Sequence, residues 1–462
     1  MIAPARQAAF DVLREVDAGR VTLPDALARA VLRLDDERDR ALAAEIAIGT
    51  LRWRAMLDHV IGEASSRATD LIDADVLRTL RLSAFQLRHL ERVPRSAVVD
   101  DGVELARHAG HPASTRFVNA VLRKLAGRPG EAWPLPPRPR HVGAARLDDR
   151  SRAEAIEYLA TALAHPRWLV ARWLDRYGLE SAEAWCRFNN GRAPVTLRAN
   201  RLKTTREALA AGLAAHGVST EPARFAPDGL YVTRGQPMRT PVVGAGEGVL
   251  QDEASQLVTL LAEARPGQWV LDACAAPGGK TVALAAAMAD TGQLVAVDVR
   301  PRRMRLLART VASSGATCVR LVQADLARGL PFSRGFDCVF VDAPCSGLGT
   351  VRREPDVKWR RGEADLAAFA TRQQRMLAEA ARHVAPGGRL VYATCSSEPE
   401  ENEAVVEAFL AAHGAFERID PRTEAPGTPL APVLDPAGAL RTTPHEHGLE
   451  AFFGVALRRS RA

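Results

Sequence analysis

At 462 residues the chain is too long for one ordinary hydrophobic core, and roughly two to four domains are expected. Hydrophobic residues at 47% and charged residues at 25% are ordinary globular values, which exclude a chain disordered throughout. The net charge of +7, carried mainly by arginine, suits a polyanion such as RNA, because each neutralised phosphate releases counterions; it suits an arginine-rich solvated surface equally well.

None of the six cysteines (Cys186, Cys274, Cys318, Cys338, Cys345 and Cys395) lies in a CxxC pair, and no Cys/His spacing suits zinc, so no metal site is expected. The N-terminus lacks the apolar core of a signal peptide, and no stretch approaches the roughly 18 apolar residues of a membrane span. A reducing cytoplasm is the expected home, where free thiols are either inert core residues or catalysts.

Residues 1–128 read as a helical bundle. In one helix over 42–60, Leu42, Ile46, Gly49, Trp53, Met56 and Val60 recur at steps of three and four. Leu77, Leu80, Ala84 and Leu87 repeat the pattern before Pro94 interrupts it. Two further helices end at Gly110 and Gly127, glycine supplying the left-handed terminating residue. Residues 129–149, rich in proline and arginine, read as a linker. A small α+β middle region follows over 150–247. There Arg187, Arg192, Arg198, Arg201 and Lys203 gather beside a short strand, VTLR, either tracking a phosphate backbone or forming a solvated face.

From 248 to 462 the texture becomes α/β. QWVLDA, LVAVD, VRLVQAD, DCVFVDAP and RLVYATC read as buried strands separated by helices, which predicts a parallel sheet covered on both faces. Ligands of such sheets bind beyond the carboxyl ends of the strands, where Asp272, Asp298, Asp325, Asp342 and Cys395 fall.

The loop after the first of these strands, Cys274, Ala275, Ala276, Pro277, Gly278, Gly279 and Lys280, allows close approach of backbone to ligand and opens a helix. It is neither GxGxxG nor a P-loop, whose earlier glycine is replaced by Cys274. Asp298 is placed to accept ribose hydroxyls, and Asp325 to meet an adenine amino group. A nucleoside with a carboxylate tail fits both ends of this pocket, namely S-adenosylmethionine. Cys345 and Cys395 each follow a strand in a polar loop at that same edge, which sets them apart from Cys186, Cys318 and Cys338, read as inert. Cys274 is read as pocket lining.

Carried by DACAAPGGKT (272–281), DAPCSGLGTVRREPDVKWRR (342–361) and YATCS (392–396), the chain resembles the Sun/Fmu branch of the Nol1/Nop2/Sun RNA cytosine-C5 methyltransferases. GTLRW (49–53) and FVNAVLRKL (117–125) resemble the NusB-type RNA-binding domain of that branch, and LRANRLK (197–203) matches its middle region. The resemblance implies a Rossmann-like S-adenosylmethionine-dependent catalytic domain, preceded by a NusB-like domain and a small α+β domain. It assigns attack on cytosine C6 to Cys395 and resolution of the covalent adduct to Cys345. Asp342 would contact the ring and border the cofactor.

Arg198, Arg201, Lys203, Arg353, Lys358 and Arg360 are the candidate RNA contacts, on 16S rRNA or an early small-subunit assembly intermediate. The chain departs from the family at Cys338, at Phe340 and at Glu450–Ala451, where Asp-Gly is usual. Other readings are the same chemistry on tRNA or 23S rRNA, a non-enzymatic ribosome-assembly factor, and a thiol oxidoreductase. No feature calls for an obligate dimer, and a monomer is expected.

Overall fold

The structure, a computed structural model, describes residues 2–139 and 148–461. Contacts divide it into two units, Met1–Arg192 with Val351–Arg361, and Ala193–Thr350 with Gly362–Ala462.

The first unit is helical. Its elements are α1 (Pro4–Asp17), α2 (Leu23–Val31), α3 (Glu37–Arg52), α4 (Arg54–Ser65), α5 (Ala74–His89), α6 (Arg95–His108), α7 (Thr115–Ala126), α8 (Asp149–Glu157) and α9 (Arg167–Asn190). Asp36 caps α3 and Asp73 caps α5, each accepting free first-turn amides. The single helix expected over 42–60 is two: the backbone turns at Trp53 (φ −103°, ψ 14°), and α4 restarts in a new direction. At Gly49 a Cβ would lie 2.0 Å from the Phe85 ring, so this glycine permits the close packing of α3 on α5. Gly110 is left-handed as expected (φ +92°). Gly127 is not (φ −72°), its amide closing the last turn onto Arg123 O instead.

The linker is tied down at its start. A short 3₁₀ turn, Gly130–Ala132, leads Trp133 into the bundle core. Residues 140–147 of that linker lie outside the described residues. The helices after it, expected with the middle region, pack in the first unit instead. Ala164 is buried among Met56, Leu57 and Val60, and Trp173 stacks on Trp185 at 4.9 Å. Gly178 (φ +75°, ψ 172°) breaks α9 into two helical halves.

The second unit begins with β1 (Val195–Ala199), α10 (Arg206–Ala214), β2 (Ser219–Pro222), β3 (Gly229–Arg234), α11 (Pro241–Gly244) and β4 (Gly248–Leu250). The strands form an antiparallel sheet in the order β2-β3-β1-β4, with Leu209 and Leu213 of α10 clustered with Leu197 and Leu230 of the sheet. Then come α12 (Glu253–Leu260), β5 (Trp269–Asp272), α13 (Gly279–Ala287), β6 (Gln293–Asp298), α14 (Pro301–Ser314), β7 (Val319–Gln323) and β8 (Phe336–Asp342). Next, α15 (Val357–Arg360) lies in the segment that belongs to the first unit. The second unit resumes with α16 (Asp365–Arg382), β9 (Val384–Thr394), α17 (Glu403–Ala412), β10 (Phe416–Ile419), β11 (Leu440–Thr442) and β12 (Phe452–Arg459).

The larger sheet runs β10-β12-β9-β8-β5-β6-β7, with β11 paired to β12. β5 to β9 are mutually parallel, and β12 enters antiparallel beside β9. Two apolar layers cover its faces, one around Leu257, Leu284 and Phe340, the other around Leu271, Val339 and Leu377. This is the Rossmann-like sheet expected, with one correction. β7 is an edge strand whose Arg320, Leu321 and Gln323 are not buried, because no strand among the described residues pairs beyond it. Among the described residues no helix is long and apolar enough to cross a membrane.

Candidate active site

The carboxyl ends of β5, β6, β8 and β9 converge, and the loops leaving them make the site. After β5 the chain passes through a cis Ala276–Pro277 bond to Gly278, whose φ of +108° only glycine adopts without strain. A Cβ there would also lie 2.9 Å from Leu307 Cδ1, so the loop packs directly on α14. Asp298, at the end of β6, braces this loop. Its carboxylate accepts the amides of Ala276 at 3.3 Å and of Arg300 at 3.2 Å, while Arg303 donates to the Ala276 carbonyl. Asp325, just past β7, is half-buried and accepts the Ala327 amide at 3.0 Å.

Asp272 closes β5 and is buried. Thr281 Oγ1 donates to its Oδ2 at 2.7 Å, while Oδ1 is buried without a hydrogen-bond partner. Burial pushes its carboxyl up to about 7. Lys280, an expected cofactor contact, donates to Asp342 Oδ2 at 2.7 Å, and its ammonium lies over the Phe452 ring. That pair joins the loop after β5 to the loop after β8.

S-adenosylmethionine fits these residues. The glycine turn lets the backbone approach a ligand, the strand-end acids Asp298 and Asp325 retain lone pairs for hydroxyl and amino donors, and Asp272 Oδ1 is an unmet acceptor behind the loop. Cys274, Ala275, Ala276, Pro277, Gly278 and Gly279 would line the pocket. Cys274 is held well above the ordinary thiol range by burial and by three neighbouring acids, as suits lining rather than nucleophilic chemistry.

The loops after β8 and β9 carry the two thiols. Cys345 Sγ and Cys395 Sγ are 3.1 Å apart, both half-buried, and both cysteines are free. The hydrogen bond to Cys395, together with burial, holds the Cys345 thiol well above its ordinary range. The other cysteines are elsewhere. Cys318 and Cys338 are buried and pushed up to about 12 by desolvation, and Cys186 is raised further still.

Sequence reasoning missed the groups that hold the thiol loops together. Glu401, fully buried, accepts the Ser346 amide at 2.8 Å, the Ser346 and Ser396 hydroxyls, and Gln373 Nε2 at 2.9 Å. The only sequence signal was one acid among the several of SEPEENE, and composition cannot tell a buried glutamate from its solvated neighbours. Gly349 N also donates to Cys395 O at 2.9 Å, and its own carbonyl accepts the amide of Ala451 at 3.0 Å. The unusual Glu450–Ala451 turn is thereby stitched to the thiol loops.

Two expected RNA contacts are corrected. Arg198 is 5% exposed with Nη1 on Gln251 Oε1, because it lies on the covered face of β1. Lys358 is 0% exposed and donates to the Arg52 carbonyl at 3.0 Å inside the first unit, burial holding its ammonium well below the ordinary lysine range. Neither cationic head is exposed to solvent. Lys203 is exposed, but its ammonium already holds the Ala245 and Ser313 carbonyls at 2.6 and 2.7 Å. Arg201 and Arg360 are exposed with acid neighbours, Asp228 at 3.7 Å and Asp356 at 2.9 Å. Arg353 is half-buried.

Known proteins resemble this chain over nearly its whole length. The family model described as 16S rRNA methyltransferase RsmB/F matches residues 258–458, the NusB family matches 3–127, and the ferredoxin-like domain of RsmF/B-type methyltransferases matches 165–239. The ribosomal RNA small subunit methyltransferase B of Pseudomonas putida is 35% identical, over 91% of this chain and 92% of its own length. That of Xylella fastidiosa strain Temecula1 is 34% identical over 99% and 98%. The crystal structure of PH0851 superposes with a TM-score of 0.80 at 25% identity, covering 99% of both chains. The chain therefore belongs to the RsmB/F family of S-adenosylmethionine-dependent ribosomal RNA methyltransferases.

Proposed function

We propose that the protein methylates carbon 5 of one cytosine in 16S rRNA through a covalent adduct on Cys395. The observation that carries the reading is the thiol pair at 3.1 Å, set at the same strand edge as the Lys280–Asp342 pair and the cofactor loop. Two free thiols have no part in simple methyl transfer to a nitrogen or oxygen. They are needed where the target carbon must first be activated.

Cytosine C5 is a weak nucleophile until a group adds to C6. The Cys395 thiolate supplies that group: its electron pair forms the S–C6 bond, and the C5=C6 pair moves toward the ring, where Asp342 steadies the N3 and amino edge. S-adenosylmethionine, when bound, would supply an electrophilic methyl group for C5. After C5 is methylated, its proton leaves to a base, the C5–H pair restores C5=C6, and the S–C6 bond breaks to return the Cys395 thiolate. Cys345, 3.1 Å from it, assists that release. Water must be excluded and the base unpaired or flipped to reach these groups.

The small-subunit rRNA named for the relatives supports 16S rRNA as the target. Incubation with transcribed 16S rRNA, 23S rRNA and tRNA, followed by bisulfite mapping, tests it. A single protected cytosine confined to 16S rRNA is expected. Protection confined to tRNA or 23S rRNA would move the target but keep the chemistry, and methylation without a protected cytosine would end the C5 reading.

A further inference from the structure

We propose that Glu401 is a positioning residue, the clamp that sets the two thiols in register by tying together the loops that carry them. Its carboxylate is fully buried. An ionised carboxylate has about four lone-pair sites, and four donors reach this one, two on each oxygen. Oε1 accepts Ser346 N at 2.8 Å and Gln373 Nε2 at 2.9 Å, and Oε2 accepts the Ser346 and Ser396 hydroxyls.

The location matters more than the count. Ser346 is the residue after Cys345, and Ser396 the residue after Cys395. One carboxylate therefore grips the neighbour of each thiol, and the two serine hydroxyls lie 3.2 Å apart as the two sulfurs lie 3.1 Å apart. Gln373 adds a third anchor, since the same Nε2 also donates to Pro344 O at 3.1 Å on the other side of Cys345. Tyr392 OH donates to the Glu401 carbonyl at 2.6 Å, and Asn402 binds Ser396 O at 3.0 Å, so the clamp's own backbone is fixed to β9. A buried carboxylate is costly to desolvate and is retained only where its hydrogen bonds are complete. Here three of the four come from the two loops and the fourth from Gln373 on α16, which itself holds the Cys345 loop at Pro344 O.

The clamp rests on the loop geometry alone, and its test is chosen to be separable from the cytosine-C5 reading. Diamide couples neighbouring thiols: two S–H bonds break, the S–S bond forms, and the two electrons and two protons reduce the N=N bond to a hydrazine. The coupling rate of Cys345 with Cys395, followed by peptide mass with neither RNA nor methyl donor present, reports their register directly. In Glu401→Gln an amide NH₂ faces hydroxyl donors, so coupling should slow by about tenfold or more, while S-adenosylmethionine affinity stays within about twofold. With RNA present, kcat should fall by roughly 10²-fold with KM little changed, as for a misplaced reacting group.

Should Glu401→Gln fail to bind S-adenosylmethionine, the single-arm variants Ser346→Ala and Ser396→Ala carry the test, each with coupling slowed several-fold. Wild-type coupling and turnover in Glu401→Gln, or in both serine variants, would overturn the clamp. Slowed coupling with methylation at a position other than cytosine C5 would leave the clamp standing and end the proposed reaction.

Discussion

The amide of Gly349 donates to the carbonyl of Cys395 at 2.9 Å, and a Cβ at position 349 would lie 2.8 Å from that same oxygen and 1.9 Å from Ala451 O. The loop after β8 thus lies between the other thiol loop and the C-terminal turn with no room for a methyl group. Both close atoms are backbone, so neither can swing away. Gly349→Ala should part the loops and lower kcat by about 10²-fold, with S-adenosylmethionine affinity little changed. Turnover kinetics beside calorimetry of cofactor binding checks this, and an unchanged kcat refutes it.

The two thiols should separate by phenotype. Cys395→Ala is expected to lose both methylation and any covalent protein–RNA species. Cys345→Ala should instead accumulate a protein–RNA adduct that survives denaturing electrophoresis, because attack proceeds and release does not. The reverse pattern would exchange the two roles.

Asp272 makes stability depend on pH. Its folded carboxyl is raised to about 7 by burial, from 3.8 in the unfolded chain. Between these values the folded state binds the extra proton, so its contribution is fully present below about 4 and is lost as pH rises through about 7. Asp272→Asn carries no such proton. Its urea midpoint relative to wild type should rise from pH 5 to pH 8, with cofactor absent from both proteins. A difference that stays flat or falls would show that Asp272 does not titrate in this window.

Surface cations should differ in what they give RNA. Arg201 is exposed, with Asp228 3.7 Å from its Nε, whereas Lys203 is already committed to two carbonyls. Arg201→Ala should flatten the salt dependence of RNA binding by about 0.7 to 0.9 in log–log slope. Lys203→Met should leave that slope unchanged while lowering the thermal midpoint. Filter binding from low to moderate salt distinguishes them.

Much of this protein was legible in its sequence. Apolar runs ending in Asp272, Asp298, Asp342 and Cys395 predicted a parallel sheet and its ligand edge, because strand-end position follows from chain order alone. The glycine loop and the two thiols were legible for the same reason: each lies within a few residues of a strand end, and local pattern suffices to place it. The helix end at Gly110 was readable because its glycine takes the left-handed conformation. The break at Trp53 was not, since apolar periodicity runs through it.

What only the tertiary structure decided depends on partners distant in sequence. Arg198 and Lys358 read as phosphate contacts because a cation in a basic run looks solvated. Burial of their heads against Gln251 and the Arg52 carbonyl comes from packing that no local window contains. Glu401 read as one acid of several, and becomes the joint of the thiol loops only when β8 and β9 lie side by side and bring Ser346 and Ser396 onto its two oxygens. Short-range pattern determined which residues reach the ligand edge. Long-range closure of the sheet decided which of them meet, because hydrogen bonds and desolvation are set by neighbours in space.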